Sequence, residues 1–294
     1  MPKKISQVLD ESQKSEGSKS FKLSWFQRLF GPKKKRVTIL RLAGVIGQKS
    51  HGQGSLQFES LREPIDEAFK CKPDLLCLII NSPGGLPGQA NLIADRILEL
   101  SKRNKVPVWS FVEDVAASGG YWLACAGEKI IALESSIIGS IGVVAAGFGF
   151  PKLLEKIGVE RRVYTSGQSK NQLDSFLPEN QDDIKRIKDI QNDIHQHFIA
   201  YVKGRRTHRL QAEDDILFQG DFWSGKKSKE LGLIDEIGLL YPTIYAKFGK
   251  NVKIKYIQLA QGSFIKRLLG LHQKPLDHLV ETIDAQILWS RYRL

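Results

Sequence analysis

Four short apolar runs, each bounded by turn residues and separated by segments of helical periodicity, constrain this chain more than any other feature. They occupy residues 37–42, 75–80, 106–112 and 129–133. Short apolar runs of this kind are what strands buried on both faces require, as in a parallel sheet covered by helices. Between them, 61–70 and 89–103 carry apolar residues at helical spacing, with Leu92, Ile93, Ile97 and Leu100 on one face of the second. Strand and helix in alternation predict an α/β fold with a mostly parallel sheet flanked by helices. Further on, Ile184, Ile187, Ile190, Ile194 and Phe198 recur every three or four residues across 179–206. That spacing predicts a long amphipathic helix, which either covers the sheet or meets a neighbouring subunit. A helical pattern over 224–231 stops at Gly232, and a short strand is expected over 233–237.

With 294 residues, 41% of them hydrophobic and 26% charged, the chain is long enough for one main domain with appendages. The net charge of +12 is uneven, since residues 1–36 hold ten Lys/Arg against three Asp/Glu. Within that arm, Trp25, Phe26 and Phe30 precede Lys33-Lys-Lys-Arg36, a combination suited either to an anionic bilayer surface or to a solvated, disordered arm. Nucleic acid is the weaker partner, because the basic cluster is short and no recognised nucleic-acid module accompanies it. The expected division is a basic arm over 1–36, a main domain over 37–260, and an amphipathic helical tail over 261–294. The tail has Phe264, Ile265, Leu268 and Leu269 beside Lys266 and Arg267. No secretory h-region of about 7–15 apolar residues is visible. Nor is there a run of the roughly 20 that a membrane helix needs. The expected location is therefore the cytoplasm or the periphery of the inner membrane. Cys71, Cys77 and Cys125 lack metal-type spacing and are expected to be reduced core thiols. His195 and His197 stand two apart on a helix and point to different faces, so no metal is expected.

Candidate chemistry lies where strand patterns give way to small residues. Asn81-Ser-Pro-Gly-Gly85 follows one strand and precedes the helix beginning near Gln89, which puts its glycines at the carboxyl end of the sheet. Consecutive glycines permit backbone conformations that expose N–H groups able to hold a developing oxyanion, and they also suit an ordinary turn. Asp114-Val-Ala-Ala-Ser-Gly-Gly-Tyr-Trp122 follows the strand ending near Val112, so Ser118 falls close to a helix N-terminus. There its hydroxyl either attacks a carbonyl, with the Gly119 N–H as a second oxyanion donor, or caps the helix. No Ser-His-Asp set is apparent. Lys170 lies in the loop-like Thr165-Ser-Gly-Gln-Ser-Lys170, and a desolvated lysine can serve as a general base. Spacing alone does not prefer it to Lys152 or Lys156.

From 37 to 240 the chain resembles the signal peptide peptidase (protease IV) family of serine peptidases, within the Clp-protease/crotonase-like superfamily. Four motifs in order carry the resemblance. They are Asn81-Ser-Pro-Gly-Gly85, Asp114–Trp122, Ile138-Gly-Ser-Ile-Gly-Val143, and Gly204-Arg-Arg206 with the stretch 218–238. The resemblance implies a fold of repeated β-β-α units and a peptidase needing no metal or organic cofactor. It maps Ser118 to the nucleophile, Lys170 to the base of a Ser–Lys dyad, and Gly85 with Gly119 to the oxyanion hole. It also implies a homo-oligomeric ring in which Ser118 and Lys170 come from adjacent protomers. Substrates would be extended apolar peptides such as signal-peptide remnants. The chain departs from the family's pattern in lacking an N-terminal membrane helix, a role that contact through residues 24–36 could take over. Two other functions fit the residues: a crotonase-like acyl-CoA enzyme using the same oxyanion hole, and a catalytically inactive membrane-associated scaffold.

Overall fold

The computed structural model describes residues 34–47, 55–167, 169–259 and 286–292. The first half of the described chain runs β1 (Arg36–Ala43), β2 (Val45–Ile46), β3 (Ser55–Leu56), α1 (Phe58–Lys70), β4 (Leu75–Ser82), α2 (Pro87–Asn104), β5 (Val108–Ala117) and α3 (Gly119–Ala124). It continues through β6 (Lys129–Ala132), β7 (Ile137–Gly139), α4 (Pro151–Lys156), α5 (Gln181–Arg206) and α6 (Asp214–Leu217). The last elements are β8 (Phe222–Ser224), α7 (Gly225–Glu230), β9 (Glu236–Ile237), α8 (Leu240–Phe248) and β10 (Lys253–Ile257). The main sheet has the order β10-β1-β4-β5-β6-β9, all parallel, with β7 added beside the far end of β5 and β8 antiparallel to β7. The α/β architecture expected from the sequence is the one observed.

The period of two explains how the apolar runs are used. Leu76, Leu78 and Ile80 of β4 face a core shared with Ile65 and Phe69 of α1, Ile93 and Ile97 of α2, and Trp122 of α3. Leu75, Cys77 and Ile79 point the other way, to a smaller core closed by Ile244 of α8. Both faces are covered, so the runs need no polar alternation.

Several boundaries move from their expected places. The third strand does not end near Val112 but continues to Ala117. The strand expected over 233–237 is reduced to the two residues of β9. Of the three cysteines, Cys77 and Cys125 are buried, whereas Cys71 is partly exposed, with its Sγ 3.4 Å from Lys255 Nζ. The arm residues Trp25, Phe26, Phe30 and Lys33 fall outside the described residues, as do Phe264, Ile265, Leu268 and Leu269 of the tail; residues 286–290 are helical. Among the described residues, no helix is long and apolar enough to cross a membrane.

The amphipathic helix expected over 179–206 is α5, started by Asn180, whose Oδ1 accepts the Asp182 N–H at 2.8 Å, with Asp182 and Asp183 at the positive end of the helix dipole. Only its last turns are buried, through Phe198, Val202 and Arg206. Phe198 and Tyr201 stack on Trp122, with ring centroids 4.6 and 5.0 Å away. Among the described residues, no residue from 142 to 197 is buried as a whole.

Arg206, 1% exposed, ties the end of α5 to the segment leading into β9. It donates to the Gly232 carbonyl at 2.7 Å and to the Asp235 carboxylate at 2.8 Å, while Asp235 also accepts the Ile130 N–H at 2.7 Å. Burial acts to raise the Asp235 carboxyl, but the hydrogen bonds from Arg206 and Ile130 outweigh it and hold the group below its ordinary 3.8. Arg206→Met leaves a largely buried carboxylate without its main partner and is expected to cost about 3 kcal/mol, read from urea midpoints. Because the folded-state pKa of Asp235 lies below the unfolded one, its contribution is complete above the unfolded value and is lost as pH falls through the folded value. The wild-type advantage over Arg206→Met should therefore shrink as the pH is lowered below about 4.

Candidate active site

β5 delivers Ser118 with no intervening loop: the strand ends at Ala117 and α3 begins at Gly119. Ser118 makes the turn at φ 52°, ψ −123°, a region that costs a residue with a Cβ roughly 1–3 kcal/mol. Hydrogen bonds on both sides hold it there. Its N–H donates to the Gly139 carbonyl at 2.8 Å, and its carbonyl accepts the N–H groups of Tyr121 at 2.9 Å and Trp122 at 3.1 Å. A helix-capping serine has extended backbone and spends its hydroxyl on the first turn. Ser118 has neither property: its φ is positive and its side chain makes no capping hydrogen bond. Ser118 is half-buried, and its hydroxyl has no hydrogen-bond partner among the described residues.

The turn after β4 comes to the same place. The Ile46 N–H donates to the Gly84 carbonyl at 2.8 Å and the Leu86 N–H to the Ile46 carbonyl at 2.9 Å, forming a parallel bridge between Ile46 and Gly85. In such a bridge the N–H of the middle residue, here Gly85, points away from Ile46. Only glycine fits at position 85, where φ is +141° and an added Cβ would lie 2.1 Å from the Ile46 carbonyl oxygen. A Cβ built on Gly84 would stand 2.8 Å from Ser118 Cβ, and one built on Gly119 would stand 3.5 Å from the Gly85 nitrogen. Gly120 lets α3 press onto the end of β4, since a Cβ there would meet the Ser82 carbonyl oxygen at 2.3 Å. The structure thus brings together Ser118, Gly85 and Gly119. Neither glycine N–H donates to any acceptor among the described residues. A serine hydroxyl beside two unspent backbone donors is the arrangement that acyl transfer requires, an oxygen to attack a carbonyl and N–H groups to hold the resulting oxyanion.

The model of Peptidase family S49 matches residues 100–255, more than half of the chain. The chain belongs to peptidase family S49. It is also 42% identical to the Na(+)/H(+) antiporter NhaA of Brucella melitensis, over 91% of this chain and 38% of that protein. To the chloroplastic serine protease SPPA of Arabidopsis thaliana it is 30% identical, over 78% of this chain and 35% of that one. The chain therefore spans well under half the length of either relative. Among solved structures, the 1510-N membrane-bound stomatin-specific protease superposes with a TM-score of 0.50 at 15% identity, covering 85% of this chain and 100% of that one, a likeness of fold.

The remaining candidate, Lys170, shares no hydrogen bond with this cluster. It lies in the exposed stretch between α4 and α5, with its N–H on the Gly167 carbonyl at 3.2 Å, and its Nζ makes no hydrogen bond or ion pair among the described residues. Lys152 and Lys156, on α4, are exposed as well. A shallow concavity on the same stretch is lined by Leu154, Val159, Arg162 and Phe176 but takes in none of Ser118, Gly85 and Gly119. Other nucleophiles are poorly suited: burial pushes the Cys77 thiol up to about 12 and the Cys125 thiol up to about 11. His195 Nε2 lies 3.1 Å from the Ile141 carbonyl oxygen and the His197 ring lies 5.3 Å from Trp122, so the two serve different neighbours.

Two contributions to the site's surroundings carried no sequence signal. Trp289 and Tyr292, near the end of the chain, pack against Val115, Ala117 and Ile137, and the Tyr292 hydroxyl donates to Ser140 Oγ at 3.0 Å. Asn81 bridges from β4 to Asp114 and Val115 of β5, contacts that no local pattern reveals.

Proposed function

We propose that this chain is a serine peptidase with Ser118 as its nucleophile. The observation that carries the reading is the strained, uncapped Ser118 with its hydroxyl unspent beside the free N–H groups of Gly85 and Gly119. In the reaction, Ser118 Oγ adds to a peptide carbonyl while a base takes its proton, and the oxyanion rests on the Gly85 and Gly119 amides. Collapse breaks the C–N bond, the protonated base gives its proton to the leaving amine, and water then hydrolyses the serine ester by the same path.

The base in this proposal is Lys170 of an adjacent copy, in a homo-oligomeric ring. What supports it is the distribution of apolar surface. Val144, Phe148, Leu153, Ile157, Val159 and Leu173 are all more than half exposed and all belong to the stretch that contributes nothing to the cores of its own chain. Apolar surface concentrated in this way marks an interface, and a second copy laid on it would bury the stretch that holds Lys170. Residues 37–260 form the peptidase domain in this reading. Its substrates are extended apolar peptides such as signal-peptide remnants, the assignment that goes with the family.

The test is covalent. A fluorophosphonate probe should label the assembled protein at one site, and mass spectrometry of the labelled peptide should place the adduct on Ser118. Labelling elsewhere, or none under conditions that label a known serine peptidase, would remove Ser118 as the nucleophile.

A further inference from the structure

Ser118 and the two glycine amides come level with one another because β5 holds two more residues than β4 between their shared pairs. From Leu76↔Val108 to Ile80↔Val112 the strands keep one register, and the next pair is Ser82↔Ala116. Asn81 alone on β4 therefore faces Glu113, Asp114 and Val115 on β5. From the Ser82↔Ala116 pair, three residues lead to Gly85 along one chain and three to Gly119 along the other. Had the first register continued, Ser82 would have faced Asp114. Ser118 and Gly119 would then each lie two residues further out along the sheet than they do, a displacement of about 6.6 Å at strand rise. No carbonyl carbon could then contact the hydroxyl while its oxygen reached both amides.

An irregularity with this consequence has to be held in place, and the side chain opposite it does so. Asn81 Nδ2 donates to the Asp114 carboxylate at 2.8 Å, and Asn81 Oδ1 accepts the Val115 N–H at 3.3 Å, an amide that the disrupted ladder leaves free. On the other side, Ser136, fully buried, donates from its hydroxyl to the Glu113 carbonyl and accepts the Leu133 N–H at 3.0 Å. The backbone carbonyl of Asn81 also accepts the Gly44 N–H at 2.9 Å, tying the same residue to the end of β1.

We propose that Asn81 is a positioning residue for peptide hydrolysis: its carboxamide holds the bulge of β5 and so sets the distance from Ser118 Oγ to the Gly85 and Gly119 amides. It touches neither substrate nor reacting atoms. The proposal rests on Ser118 being the nucleophile, and its test keeps the two claims separate.

Asn81→Asp keeps the acceptor for the Val115 N–H but sets a carboxylate against Asp114. Combining it with Asp114→Asn exchanges donor and acceptor across the bulge and restores the contact. For the full chain, Asn81→Asp should lower kcat by about 10²-fold, the scale of a misplacement near 1 Å, with KM within about twofold, and should slow fluorophosphonate labelling of Ser118 in parallel. The double variant should recover kcat and labelling rate to within about threefold of wild type, because the geometry and not the identity of residue 81 is what acts. If wild type is not labelled at Ser118, the nucleophile assignment falls and this proposal with it. If wild type is labelled and Asn81→Asp is labelled at the same rate, only the positioning role is overturned. It is equally overturned if the double variant stays as slow as the single one while its melting temperature matches wild type, or if the single variant changes KM and not kcat.

Discussion

Ser118→Ala is expected to leave a folded protein whose peptide turnover is reduced by on the order of 10⁴–10⁶-fold, the range seen when the nucleophile of an acyl-transfer site is removed. Stability should hardly change, because alanine keeps the Cβ and the hydroxyl takes no part in any hydrogen bond among the described residues. Ser118→Gly separates strain from chemistry. It should be as inactive as alanine yet more stable than wild type by about 1 kcal/mol, since glycine adopts φ near +52° without the Cβ penalty. Release of a short unstructured peptide's fragments, followed by chromatography, measures the first effect, and urea midpoints measure the second. Turnover by Ser118→Ala within tenfold of wild type would end the case for this nucleophile. Equal stability of the glycine and alanine variants would mean that the strain at Ser118 is not stored in the folded state.

The centre of the sheet was legible because its inner strands are buried on both faces, so that Leu75–Ile80 of β4 displays its structure as an unbroken apolar run that needs no knowledge of its partners. The glycines of the site were legible for a related reason, as small residues at the ends of such runs mark places where backbones must approach closely. What could not be read was register. Glu113 and Asp114 resemble the polar end of a strand, and the sequence places the strand's end near Val112, whereas β5 passes through them as a bulge because Asn81 of β4 and Ser136 of the turn before β7 satisfy the irregular backbone. Those contacts span 33, 34 and 23 residues of sequence, beyond the reach of any local pattern. The open question of whether the long helix covers the sheet or meets a neighbour has a divided answer. The end of α5, from Phe198, packs on Trp122, while Ile184, Ile187, Ile190 and Ile194 on the earlier turns remain unburied. An amphipathic stripe records that something covers it; it does not record which molecule does.

Lys170 poses that question in its most consequential form, because its stretch of chain has apolar side chains and no core to bury them in. Lys170→Met should reduce turnover by about 10²–10⁴-fold, the usual contribution of a general base, with the protein still folded and still assembled. The decisive measurement mixes two dead proteins. Ser118→Ala chains supply an intact Lys170 and Lys170→Met chains supply an intact Ser118. In a ring where each site takes its serine from one protomer and its lysine from the next, random co-assembly at equal amounts makes about one quarter of the junctions complete. Co-expressed variants should therefore regain about a quarter of wild-type turnover per site, whereas either alone regains none. If serine and lysine belonged to the same chain, every mixed ring would hold only broken sites, and activity would not return at any ratio. A lysine with no catalytic part gives a third outcome, since Lys170→Met alone would then be as active as wild type. The exposed apolar stretch answers to the same mixture: replacing Phe148 and Leu153 with serine should abolish recovery by preventing assembly, even though neither side chain supports the core of its own chain.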